Sequence, residues 1–130
     1  MNIKQSLAPF AAYLLRNIKT HKNRKRFAKF VGNYFDNTKA KTAYGFMMFA
    51  KWYDNENRTC FEGSHGIVAD FISDLPSDCI FIDIGANQGC TSILASKVFS
   101  NNQNNGVVIS FEPSSFSFGL MERNIKLNKC

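Results

Sequence analysis

Metal-ligand spacing is missing from this sequence of 130 residues: Cys60, Cys79, Cys90 and Cys130 stand 19, 11 and 40 positions apart, with no Cys-x-x-Cys. Neither His21 nor His65 falls in ligand register with them. A zinc ribbon or finger is excluded on that count, and no metal is expected. The thiols read as free and mostly buried, which suits a reducing compartment. Long hydrophobic runs are also absent: Leu7 to Leu15 is too short to span a bilayer, has only Lys4 ahead of it, and is followed by no small-residue cleavage site. Neither a membrane span nor a secretory leader is expected, and the location implied is cytoplasmic. Internal repeats, low-complexity tracts and RNA- or DNA-module motifs are lacking as well.

Acidic residues are scarce at one end. Residues 1–43 hold ten lysines and arginines against a single acid, Asp36, for a net +9, whereas the remainder holds six against nine. The overall +6 therefore describes neither part. Within the basic part, Ile3, Leu7, Phe10, Leu14 and Ile18 recur at spacings of three and four, and Phe27, Phe30, Val31, Tyr34 and Phe35 repeat the pattern after the basic break 21–26. Two amphipathic helices are predicted, the first from about Ser6 so that Pro9 falls near its first turn. The expected arrangement is a basic helical arm, 1–43, whose apolar stripe packs on the adjoining domain or a second subunit while its lysines stay solvated. A competing reading has the arm on an anionic membrane surface, peripherally bound. Nucleic acid is the weakest partner, since no module accompanies the charge.

In residues 44–130 the pattern changes to alternating strands and helices. Strands are predicted at about Gly45–Tyr53 and Arg58–Glu62, separated by a polar turn at Asp54-Asn55-Glu56-Asn57. A helix over Gly66–Leu75, with Ile67, Val68, Phe71, Ile72 and Leu75 as its apolar face, should stop before Pro76. A strand at Cys79–Ile84, a helix at Cys90–Phe99, a polar loop over 100–106, a strand at Val107–Phe111 and a helix at Ser115–Asn128 follow. The fold class expected is α/β.

The chemistry is concentrated where the strands end. Ile80 to Gly89 reads Ile-Phe-Ile-Asp-Ile-Gly-Ala-Asn-Gln-Gly, and Val107 to Pro113 reads Val-Val-Ile-Ser-Phe-Glu-Pro, with Glu112 following Asp83 by 29 residues. That separation suits one βαβ unit with a carboxylate at the second strand's tip, where it can accept hydrogen bonds from both hydroxyls of a ribose. A dinucleotide fingerprint needs glycine at the first, third and sixth positions of the turn; here Gly85 is followed at those positions by Asn87 and Cys90. The pattern is instead Asp-x-Gly-x-Asn-x-Gly, formed by Asp83, Gly85, Asn87 and Gly89, which fits a cofactor without a pyrophosphate. S-adenosylmethionine has that character, with ribose hydroxyls, an adenine edge, an amino-acid end and a cationic sulfonium. The plainer alternative is a tight turn that binds nothing, with Glu112 an ordinary solvated strand end.

The run from Phe81 to Gly89, followed by Phe111-Glu112-Pro113-Ser114 and by Leu120-Met121-Glu122-Arg123-Asn124-Ile125-Lys126-Leu127-Asn128, resembles the start of an FkbM-type methyltransferase. Phe61-Glu62-Gly63-Ser64-His65-Gly66 resembles that family's approach to its first core strand, so the resemblance covers about Tyr44 to Cys130. It implies the N-terminal part of a class I, Rossmann-like methyltransferase fold with an incomplete parallel sheet, preceded by the basic arm. It further implies S-adenosylmethionine as cofactor and O-methylation of a hydroxyl on a small molecule or sugar. Carried over, Gly85, Asn87 and Gly89 flank the cofactor's amino-acid end, Asp83 orients it, and Glu112 takes the ribose. The family's later Asp-x-Glu-Gly signature occurs nowhere in the sequence. With 87 residues from Tyr44 onward, against about 100–200 for a domain, the cofactor-binding half of a domain is expected. Such a fragment would be inactive alone, and no catalytic residue is assigned. The other readings are a non-catalytic interaction piece and, less favoured, a nicotinamide oxidoreductase.

Overall fold

The computed structural model describes residues 3–76, 78–101 and 105–130. It divides into two compact units, 1–64 and 65–130. The first unit opens with α1 (Ile3–Asn17) and α2 (His21–Phe35). Thr20 caps α2, its hydroxyl accepting from the Asn23 amide at 3.4 Å and so satisfying one of the donors that a helix start leaves over. Strands β1 (Lys39–Lys41) and β2 (Met47–Phe49) pair antiparallel with Ala40 opposite Met48. They are followed by α3 (Asn55–Glu62).

The two amphipathic helices form, but the inward face of α1 is not the predicted one, and that of α2 agrees only in part, with Val31 buried and Phe27 and Phe35 half-buried. Ile3 is 77% exposed and Phe10 58%, with Leu7 and Leu14 also exposed, while Ala8, Ala11, Ala12 and Leu15 are buried. In α2 the buried residues are Ala28, Val31 and Gly32, and Phe30 and Tyr34 face solvent. Close approach explains the inversion: α1 packs on α2, β1 and α3, and small side chains let backbones come nearer than phenylalanines would. At Gly32 an added Cβ would fall 2.6 Å from the Tyr53 ring. Pro9 also lies deeper than expected, inside a helix that begins at Ile3, where it removes one backbone donor.

The predicted strand 58–62 is instead helical, and the strand predicted at 45–53 shrinks to Met47–Phe49. What reads as a polar turn is a helix start: Asp54 Oδ1 accepts from the Asn57 amide at 2.8 Å, and Gly63, with φ of 77°, closes the other end in the left-handed conformation. Tertiary partners override the β-leaning Thr59 and Phe61. Phe61 stacks on the buried Trp52 at 5.2 Å between ring centroids, and the Trp52 indole donates to the Phe35 carbonyl at 3.2 Å. Beside them Arg58 and Glu62, each side chain only 3% exposed, form an i,i+4 ion pair at 2.8 Å. Arg24 reaches the other Glu62 oxygen at 3.6 Å.

The second unit contains α4 (Gly66–Ser73), β3 (Ile80–Ile84), α5 (Cys90–Asn101), β4 (Val107–Phe111) and α6 (Ser115–Asn128). These elements follow the sequence pattern closely; of the predicted loop 100–106, positions 102–104 lie outside the described residues. Strands β3 and β4 pair in parallel, with Asp83 opposite Ser110 and Ile84 opposite Phe111, and α5 lies on them. Ile72, Ile93, Ala95, Phe99, Leu120 and Met121 are buried. The opposite sheet face is open: Ile80, Ile82 and Ile84 of β3 and Val107, Ile109 and Phe111 of β4 are all exposed. Of the predicted apolar face of α4 only Ile72 is buried, and Ile67 is 88% exposed. The expectation of four free, mostly buried thiols fails: Cys60 and Cys90 are disulfide-bonded, and the free thiols are the half-buried Cys79 and the exposed Cys130.

Two measurements probe these assignments. Glu62→Gln removes the counter-charge of a buried guanidinium and should cost about 3–5 kcal/mol in urea unfolding, whereas Glu56→Gln on the exposed side of α3 should change stability by no more than about 0.5 kcal/mol. Ile93→Ala, in the buried layer, should cost about 2–5 kcal/mol. Ile82→Thr on the open sheet face should stay within about 0.5 kcal/mol.

Candidate cofactor site

Parallel pairing brings the carboxyl ends of β3 and β4 side by side, the position where open α/β sheets bind ligands. The chain leaving β3 turns at once: the amides of Gly85 and Ala86 both donate to the Phe111 carbonyl, at 2.9 and 3.0 Å. Gly85, Asn87 and Gly89 then adopt positive φ of 79°, 49° and 84°. Asparagine tolerates that region better than most residues. At Gly89 a side chain is doubly excluded, because an added Cβ would also lie 2.9 Å from Met121 Cγ. At Gly85 nothing lies within 4 Å of the place a Cβ would take, so the backbone there is open to approach.

The structure brings four of the five predicted residues together. Glu112, just past β4, accepts the Asn87 amide on Oε2 at 2.8 Å and the Ser114 amide on Oε1 at 2.8 Å. The strand-tip acid is thereby tied to the glycine turn across 25 positions of sequence. Each oxygen keeps a further lone pair, enough to accept one hydroxyl apiece. The Asn87 side-chain Oδ1 is buried with no hydrogen-bond partner among the described residues.

Asp83 is directed elsewhere. Its Oδ2 accepts from the Ser92 hydroxyl of α5 at 2.6 Å, and Ser92 in turn accepts from Ser110 of β4 at 2.8 Å. This relay anchors α5 to both strands. Period-two alternation could have identified Ser110, which shares the covered face with Asp83 through their register pairing. Ser92 carried no comparable signal.

Asn124 is the other contributor that the sequence reading left without a role. Fully buried, it donates from Nδ2 to the Gln88 carbonyl at 2.9 Å, and Asn128 donates to the Asn124 carbonyl at 2.8 Å. Lys97 of α5 donates to the Asn128 carbonyl at 2.6 Å. Asn124 on α6 thus holds the glycine turn from behind. A cavity of about 350 Å³ lies near this helix layer, lined in part by Ser92, Ser96, Phe99 and Ile125, and none of the five predicted residues lines it.

The described residues therefore define a mixed α/β protein with one parallel strand–helix–strand unit, whose carboxyl end gathers a glycine turn and an acid. No family model, curated protein or solved structure matches the chain.

Asn124→Leu should destabilise the second unit by about 1–3 kcal/mol, because a buried donor is lost. Amide exchange at Gly89 should accelerate in the same variant; unchanged exchange would deny the clamp.

Proposed function

We propose that the second unit is the cofactor-binding part of an S-adenosylmethionine-dependent methyltransferase with a Rossmann-like sheet, of FkbM type, directed at a hydroxyl of a small molecule or sugar. The observation that carries this reading is the bond between Glu112 and the Asn87 amide at 2.8 Å, which holds a ribose-type acceptor against a glycine turn. Three features fit the cofactor. The Asn87 Oδ1, without a hydrogen-bond partner among the described residues, suits an ammonium donor, the open backbone at Gly85 admits close approach, and the strand-tip acid suits a molecule with a cationic centre. When bound, the cofactor supplies an electrophilic methyl group. The chain's part is to orient it: Glu112 toward the ribose, Asn87 and Gly89 toward the amino-acid end, and Asp83 indirectly, by fixing α5 through Ser92. Pyrophosphate is poorly served, because Asn87 and Cys90 stand where a dinucleotide turn needs glycine.

Calorimetry of the chain with S-adenosylhomocysteine and with NAD tests the assignment, the former being expected to bind more tightly. Glu112→Ala should weaken that binding by about 1–3 kcal/mol, as loss of hydrogen bonds to a charged group does. Tighter NAD binding would refute the proposal. A Glu112→Ala variant with lowered melting temperature and unchanged affinity would leave Glu112 a loop tie only.

A further inference from the structure

The first unit carries two surfaces that the methyltransferase reading does not use. On α1, Ile3, Leu7, Phe10 and Leu14 form a continuous apolar stripe, and all four are exposed, with Tyr13 beside them. On α2, Lys22, Lys25, Arg26 and Lys29 are exposed, and none takes part in an ion pair among the described residues. Arg24 is the cation of that helix turned to an internal acid, Glu62. The unit as a whole holds twelve basic residues against four acids, a net +8. Lys25 and Lys29 also border a pocket of about 90 Å³ that Arg58, Trp52 and Tyr53 complete.

From this combination we infer that α1 and α2 dock the protein on the surface of an anionic phospholipid bilayer. Charge complementarity selects the occupant. A second copy would set one cationic helix against another, and a nucleic acid would satisfy the lysines but leave the apolar stripe in water. A bilayer interface takes both, with phosphate groups for the α2 cations and the acyl boundary for Ile3, Leu7, Phe10 and Leu14. The contact is superficial, because no helix among the described residues is long and apolar enough to cross a membrane. Burial of the alanine face makes this possible: α1 closes the unit's core with Ala8, Ala11, Ala12 and Leu15, leaving its larger side chains outward. The inference stands independently of the cofactor assignment.

Sedimentation of the full chain with phosphatidylserine-containing vesicles, and with phosphatidylcholine vesicles alone, tests it. Binding is expected to the first, weakly if at all to the second, and to fall as salt rises toward a Debye length of about 3 Å at 1 M. Lys22→Glu with Arg26→Glu should weaken binding at least about tenfold at low salt, given the attraction of each cation near an anionic surface. Leu14→Glu should weaken it at low salt also, with an unchanged thermal transition because the position is exposed. Each of these results would overturn the inference: no binding to anionic vesicles at low salt, binding indifferent to Leu14→Glu, or a stable dimer that Leu14→Glu dissociates while vesicles are ignored. Retention of an oligonucleotide in preference to vesicles would overturn it equally.

Discussion

Everything in the second unit depends on the parallel pairing of β3 with β4. A parallel pair cannot be joined by a tight turn, so α5 must cross over, and both strands then end at the same edge. The Phe111 carbonyl accepts the first two amides beyond β3, which forces the chain to turn there. Once the turn and Glu112 are neighbours, hydrogen bonds to the Asn87 and Ser114 amides hold them in place. The serine relay beneath and the Asn124 clamp behind stiffen this arrangement without reaching its mouth. A turn pinned by partners on several elements is organised before any ligand arrives, so less ordering is left for binding to supply.

The first unit is organised around a different constraint, the burial of charge. Glu62 sits between Arg58 and Arg24 with its carboxylate almost wholly removed from water. Such a group is tolerable only when its partners are present together, and their presence requires α3 to be helical, α2 to lie within reach, and Trp52 and Phe61 to exclude solvent. The same layer leaves little space, which is why α1 presents alanines inward. Its bulkier residues, Ile3, Leu7, Phe10 and Leu14, turn to the outside.

Residues 66–128 were largely legible from sequence because local and tertiary preferences agree there. Apolar runs ending at Gly85 and Glu112 read as strands, and the helices after Gly89 and Ser114 begin where the turn chemistry places them. The candidate site was legible in part: Gly85, Asn87, Gly89 and Glu112 are close in sequence to elements whose pairing is predictable. The bond between Asp83 and Ser92 was not legible, because a carboxylate near a strand tip has no sequence mark for the direction in which it hydrogen-bonds. Ser92 and Asn124 were invisible for a related reason, since small polar side chains acquire roles only from what is packed against them. In 55–62 the cap at Asp54 and the Arg58–Glu62 spacing were helix signals, outweighed in a local reading by Thr59 and Phe61.

The sequence by itself determined the alternation of strands and helices in the second unit, the glycine turn with its acid 29 residues after Asp83, and the concentration of positive charge in the first 43 residues. These follow from periodicity, backbone conformational preference and composition, which are local properties. Only the tertiary structure decided which face of each helix is buried, which acid meets the turn, and which apolar residues remain in water. Those outcomes depend on the volume available between elements and on the pairing of groups far apart in the chain, neither of which a run of residues specifies alone.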